Sequence, residues 1–229
     1  MVLKIAIIGA RGFAREVLDV FEACNRQSAV YDVLGYVVER EFGRPGSVIN
    51  DKPILGDFDW LQKHAADVSV ICGLGNPQVR RQLILRATEA GCNFCNAIHP
   101  TAVLTPRITM GIGNVITAGC ILTNQIRIGN QVHLNLDCTI GHDVVMEDYV
   151  TLAPGVHVSG NVTLEEGCYV GTGANIIEGV KIGAWSIVGA GSTIVHNVPS
   201  NTTVIGVPGK VIKTRQAGWH LTPQQPIGN

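Results

Sequence analysis

Stepping by six from Ile98 lands on an aliphatic residue seventeen times in succession, through Leu104, Met110, Ile116, Leu122, Ile128, Leu134, Ile140, Met146, Leu152, Val158, Leu164, Val170, Ile176, Ile182 and Val188 to Ile194. If one residue in three were such an aliphatic, chance would give this run with odds on the order of 10⁻⁸ per phase. Four positions after each aliphatic the residue is mostly small or aliphatic, as at Ala102, Cys120, Val132, Cys138, Val150 and Cys168, with Asn114, Ser186 and Ser192 as polar exceptions. Glycine is frequent just after the aliphatic, at 111, 129, 141, 171, 183 and 189. Neither a helix nor simple strand alternation repeats every six residues. A prism does: each hexapeptide is one flat face, three close a coil, and the aliphatic points inward. The small residue fills the corner, and glycine is expected to permit the turn. Coils stacked about 4.8 Å apart would make a column roughly 25–30 Å tall.

The first hundred residues read differently. LKIAIIG at 3–9 is an apolar run suited to a buried parallel strand. Gly9-Ala10-Arg11-Gly12 and a helical stretch to about Cys24 follow. A second strand is expected near 33–38, then a loop at 40–52 rich in Gly, Pro and charge. A short helix near 57–65, a strand at 67–73 and a helix near 77–90 complete the segment. Strand alternating with helix predicts a small parallel sheet of Rossmann type, whose ligands bind beyond the carboxyl ends of the strands. That rule puts Gly9–Gly12, Val38–Arg40 and Gly73–Asn76 on one rim. The fold expected is thus an α/β Rossmann-like domain over 1–97 and an all-β parallel β-helix over 98–213, with a polar, loosely held tail over 214–229.

Composition narrows the function. A net charge of −1 with no basic stripe gives nucleic-acid binding no support. No apolar run approaches the roughly 20 residues that span a bilayer, so no membrane insertion is expected. Seven scattered cysteines argue against a disulfide framework, and Cys92/Cys95 is a lone CxxC read as structural thiols rather than a metal site. A cytoplasmic location is expected.

Within the repeat, His142 stands one 18-residue coil below Gly160. A residue without a side chain over a histidine leaves a notch with a bare backbone N–H. A thioester could place its carbonyl oxygen at that N–H and an acceptor amine at the imidazole. General-base help supplies about 10²–10⁴ in rate, and one oxyanion donor about 10²–10³. Asp143 can orient the imidazole only if the pair sits at a corner, because neighbours on a strand face opposite ways. His133, His142 and His157 are 9 and 15 residues apart and so do not share one column, which argues against a zinc site built from them.

The chain resembles the sugar O-/N-acetyltransferases of the sialic-acid O-acetyltransferase type, a family that includes bacillosamine-pathway enzymes acting on UDP-4-amino sugars. The resemblance runs through IIGARGFAREV near the start, DKPILGD at 51–57, GLGNPQVRRQL at 73–83, IHPTA at 98–102, GHDV at 141–144, LAPGVHVSGNVTL at 152–164, VGAGSTIV at 188–195 and VIGVPGKVIK at 204–213. It implies a left-handed β-helix, a homotrimer and acetyl-CoA lying between neighbouring β-helices, with no metal. It further implies His142 as base, Asp143 as its partner and Gly160 as donor to the thioester carbonyl. Thr172, Gly173 and Ala190 look like the pantetheine track, and Gly206, Pro208 and Lys210 belong to the segment near the nucleotide end of CoA. Gly9, Ala10, Arg11, Gly12, Glu39, Arg40, Gly75 and Asn76 look like the nucleotide-sugar pocket. The sequence departs from the family pattern at Glu39-Arg40, where UDP-sugar members often carry two aspartates, and at Thr151, where many carry histidine.

The function expected is N-acetylation of the 4-amino group of a nucleotide-linked 4-amino-4,6-dideoxy sugar, with UDP as the carrier. O-acetylation of a sugar such as sialic acid and a non-catalytic scaffold are the alternatives.

Overall fold

The computed structural model describes residues 2–222. Strand β1 (Leu3–Ile8) lies at the centre of an N-terminal sheet. It is followed by α1 (Gly12–Gln27), β2 (Tyr31–Val37), β3 (Val48–Ile49), β4 (Lys52–Gly56), α2 (Phe58–His64), β5 (Ser69–Cys72), α3 (Pro77–Glu89) and β6 (Asn93–Phe94). The order across the sheet is β3-β4-β2-β1-β5-β6, parallel except for β3 against β4. Alternation along β1 explains the layers. Ile5 and Ile7 pack under α1 with Val17, Leu18 and Phe21. Ala6 and Ile8 face the other way, into the layer that holds Leu61 of α2 and Ile84 and Ala87 of α3. The expected loop at 40–52 contains β3 and the start of β4. Asn50 and Asp51, both at positive φ, turn this hairpin. Polar residues with left-handed backbone angles are what a two-residue hairpin turn requires.

From Ala97 onward the chain winds as a left-handed parallel β-helix of two-residue strands, each ending in one of the periodic aliphatics. Every strand pairs with those 18 residues away, as Val115 with His133 and Thr139 with His157, so three hexapeptides make one coil. The first wall carries the strands at 97–98, 115–116, 133–134, 151–152, 169–170 and 187–188. The second begins at 103–104 and the third at 109–110. The inward aliphatics from Ile116 to Ile194 form one continuous buried core. The fourth-position residues fill its corners, and the polar exceptions find partners there. Asn114 receives Val132 N–H and donates to Gly129 O, Ser186 donates to Gly183 O, and Ser192 receives Gly206 N–H.

One expectation needs correcting. The glycines directly after the aliphatics do not make the turn. A Cβ on Gly141 would sit 2.6 Å from Gly160 N, and one on Gly171 2.6 Å from Ala190 N. These glycines allow close stacking of coils. The left-handed residue comes two positions later, at every sixth residue from Gly113 to Gly191, with φ between 54° and 75°. Half of those positions are not glycine, Gln125, Asp137 and Asp143 among them.

The N-terminal sheet is seated on the first wall, where Ala97 and Val115 join the α1 core. At the other end, Thr202–Ile205 extends that wall and Lys210–Thr214 returns antiparallel to it. The expected loose tail is packed as far as His220. His220 stacks on the buried Trp185 with centroids 3.9 Å apart, and Arg215 lies 4.3 Å over Trp219. Residues 223–229 of that tail lie outside the described residues. No helix among the described residues is long and apolar enough to cross a membrane.

Candidate active site

The turn from the second wall to the third carries Gly141-His142-Asp143. Asp143 is the left-handed residue of this corner (φ 60°), which swings its side chain back beside its neighbour. His142 Nδ1 lies 2.8 Å from Asp143 Oδ2. In the tautomer whose Nδ1–H donates to that carboxylate, Nε2 is the acceptor, and it lies beneath Gly160. A Cβ on Gly160 would lie 2.6 Å from Cε1 and 2.7 Å from Nε2, so the ring occupies the space that only glycine leaves free. Among the described residues Gly160 N–H has no partner. Asn161 N–H donates to His142 O, which fixes the two coils in register. Just below the pair, Arg107, Thr109, Gln125 and Arg127 line a groove that includes Asp143. The sequence reading did not single out these two arginines.

A larger pocket of about 440 Å³ opens at the carboxyl ends of β1, β2 and β5. Gly9, Ala10, Arg11, Glu39, Gly75 and Asn76 line it, together with the apolar surfaces of Phe13, Phe42, Ile49 and Phe58. Gly12 begins α1 just behind the rim, and the N-terminus of that helix has no side-chain cap. Its free N–H groups and positive dipole end suit an anion. Gly73 packs so closely under α1 that a Cβ would fall 2.5 Å from Ala14 Cα. Asn76 is spoken for by α3, accepting from Gln78 and Val79 N–H. Glu39 pairs with Arg86, whose guanidinium sits 4.0 Å over the Phe58 ring. Arg40 does not line the pocket. It turns outward to Asp57 and Asp59, with its side chain 80% exposed.

The remaining expected residues fall on another edge. Thr172, Gly173 and Ala190 lie at the turn from the first wall to the second. The segment from Gly206 to Lys210 folds over that edge, with Thr193 N–H donating to Gly206 O and Gly209 N–H to Thr193 O. His142 and Gly160 are thus separated from this group by the second wall. Thr151 is far from the His142 edge as well. It is buried on the first wall, accepting from Arg80 and donating to Gly75 O. Among the described residues no cluster of three or more His, Cys, Asp or Glu side chains is arranged to hold a metal ion. Burial pushes the Cys72 and Cys95 thiols up to about 12, so both stay protonated.

A model of the PglD N-terminal domain matches residues 4–87, and a model of the bacterial transferase hexapeptide (six repeats) matches residues 161–196. PerB from Caulobacter crescentus, solved with CoA and GDP-perosamine, is 30% identical over 92% of this chain and 98% of its own, with a TM-score of 0.83. The acetyltransferase domain of PglB from Neisseria gonorrhoeae, solved with acetyl coenzyme A, is 29% identical over 93% of this chain and 100% of its own, with a TM-score of 0.83. WeeI from Acinetobacter baumannii is 28% identical over 92% of this chain and 100% of its own, with a TM-score of 0.82. No curated protein sequence gives a significant match.

Proposed function

The chain belongs to the bacterial hexapeptide-repeat sugar N-acetyltransferases, which use acetyl-CoA as cosubstrate, and on that premise we propose that it acetylates the 4-amino group of a nucleotide-linked 4-amino-4,6-dideoxy sugar. The observation that carries this reading is the Gly160–His142–Asp143 stack. The amine attacks the thioester carbonyl while His142 Nε2 takes its proton. Asp143 steadies the imidazolium that forms, and Gly160 N–H receives the oxyanion. Collapse of the tetrahedral intermediate expels CoA thiolate, which takes the proton held by the His142 imidazolium, and the amide is left on the sugar. Among the described residues no serine or cysteine is hydrogen-bonded to His142, whose side-chain partner is Asp143, which supports direct transfer without an acyl-enzyme.

The rim pocket is the nucleotide site in this reading. The N-terminus of α1 takes the diphosphate, and the Phe42 and Phe58 side take the base. Glu39 and Arg86 offer an acceptor beside a donor, a pattern that pairs with uracil or guanine edges alike. A UDP carrier follows from the bacillosamine-type resemblance and a GDP carrier from likeness to PerB, so both belong in the acceptor screen.

The geometry also supports a homotrimer. The rim pocket lies on the first-wall side of the column, whereas His142 lies on the opposite edge, so a sugar held at the rim meets the histidine of a neighbouring copy. Exposed Val103 and Ile121 on the second wall supply apolar surface for that neighbour. Acetyl-CoA then spans the two edges, with its thioester at Gly160 of one copy and its pantetheine and nucleotide along Thr172, Gly173, Ala190, Gly206, Pro208 and Lys210 of another. The proposed location of the reaction is the cytoplasm.

The test is steady-state acetyl transfer to UDP-, GDP- and dTDP-linked amino sugars against hydroxyl acceptors, with wild-type protein and His142→Ala. The amino sugars are expected to be acetylated, and His142→Ala to lower kcat by about 10²–10⁴. Near-full turnover in that variant, or transfer only to hydroxyls, would reject the mechanism or the acceptor class respectively.

A further inference from the structure

The buried Arg80 of α3 sits at the seam between the sheet domain and the β-helix, with none of its surface exposed. No carboxylate meets its guanidinium among the described residues. Its acceptors come from two places. Leu74 O (2.9 Å) and Gly75 O (3.3 Å) belong to the pocket rim. Tyr149 O (2.7 Å), Val150 O (3.3 Å), Thr151 Oγ1 (2.8 Å) and His133 Nδ1 (3.0 Å) belong to the β-helix. Thr151 in turn donates to Gly75 O at 3.1 Å, so that one carbonyl is held from beneath by two donors anchored in different domains. On the other side, a Cβ on Gly75 would meet nothing within 4 Å, so the glycine faces open space in the pocket it lines.

Burying an unpaired guanidinium is costly, and an apolar contact would dock the two units at lower cost. Burial pulls Arg80 down to about 10, which still leaves it cationic at neutral pH. What an apolar contact cannot do is fix the direction of a carbonyl.

We propose that Arg80, braced by His133 and Thr151, is the positioning residue of the nucleotide pocket: it sets the backbone of the Leu74–Gly75 rim against the first wall of the β-helix, so that the rim N–H and Cα surface are presented to the diphosphate. The inference rests on reading that pocket as the nucleotide site. It also gives Thr151 a role on the acceptor-nucleotide side, away from the thioester.

The experiment uses the full chain and nucleoside diphosphates alone as probes. UDP, GDP and dTDP affinities are measured by calorimetry for wild type, Thr151→Val and Thr151→Ser, beside the KM for acetyl-CoA and the melting midpoint. Thr151→Val keeps the shape and removes both hydrogen bonds. It is expected to weaken nucleoside diphosphate binding about tenfold, the scale of one hydrogen bond to a charged group. The KM for acetyl-CoA should stay within about twofold, and Thr151→Ser should restore binding. Unchanged nucleotide affinity in Thr151→Val, or an equal loss toward acetyl-CoA, would overturn the proposal. Should Thr151→Val fail to fold, Arg80→Lys is measured in the same way, because it keeps the charge and loses the two-sided fork. Wild-type protein that binds no nucleoside diphosphate would overturn both this inference and the pocket assignment. Protein that binds one yet transfers no acetyl group would overturn only the function.

Discussion

Two stacked glycines show how much one missing methyl group can decide. Gly141 and Gly160 stand at successive levels of the same edge, and a Cβ on either would collide with the coil above or below, but with different atoms. On Gly160 it would strike the exposed His142 ring, a side chain free to swing away. On Gly141 it would strike Gly160 N and the carbonyl carbon of Ser159, backbone that is locked into the ladder. Gly160→Ala is therefore expected to fold with a melting midpoint close to wild type while kcat drops about 10²-fold, because Nε2 no longer faces the amine. Gly141→Ala is expected to lose stability by about 1–3 kcal/mol through overpacking. Denaturant titration beside turnover separates the two. A Gly160→Ala enzyme of undiminished kcat would mean that the ring position is not set by the glycine above it.

At the scale of elements, the seam of α3 against the first wall carries a dependence on pH. Burial, with the Arg80 charge second, holds His133 well below the ordinary imidazole range. His133 accepts from Arg80 through Nδ1, so its proton is on Nε2, an atom that has no partner in the interior. The folded form thus resists a proton that the unfolded chain takes up near pH 6.5. The sign follows: stability is full above that value and is lost as pH falls below it toward the folded pKa, with a slope of at most about 1.4 kcal/mol per pH unit. Unfolding free energies of wild type and His133→Asn between pH 8 and 5 should diverge, the variant being flatter because asparagine can still accept from Arg80 without titrating. This seam is also where sequence reasoning stopped. The six-residue period made the column legible, since every aliphatic in it repeats one local environment, and β1, α1 and α3 were legible as an apolar run and the helical stretches beyond it. His133 and Thr151 stand one 18-residue coil apart on the first wall, but Arg80 lies 53 residues before His133 and belongs to no repeat. Only the seating of one unit on the other brings them together, so no local pattern marked them. The two-residue β3 and the five-residue β4 of the hairpin were missed for a similar reason: polar Asn50-Asp51 reads as loop until the neighbouring strand β2 gives β4 a partner. The glycine role was misassigned because period alone cannot tell a turn from a close approach between coils.

At the scale of the whole molecule, the rim pocket and His142 lie on opposite sides of a triangular column, the pocket over the first wall and the histidine where the second and third walls meet. A rigid prism cannot bring them together, so in the proposed homotrimer a productive site would take its nucleotide pocket from one copy and its base from the next. That arrangement permits a test that needs no structure of the assembly. His142→Ala chains keep a sound pocket. Arg11→Glu chains keep a sound histidine but place a carboxylate at the pocket lip beside the N-terminus of α1, where it repels a diphosphate. Each homotrimer alone should be nearly inactive. Unfolded together in equal amounts and reassembled, three-quarters of random trimers are mixed, and each mixed trimer holds one site with both parts intact out of three. Activity should therefore recover to about a quarter of wild type. Refolding the two separately and mixing afterwards should recover none unless subunits exchange. Recovery near zero after joint refolding would mean that pocket and base come from one chain, and the opposed geometry would then have to be reconciled with a substrate that reaches around the column.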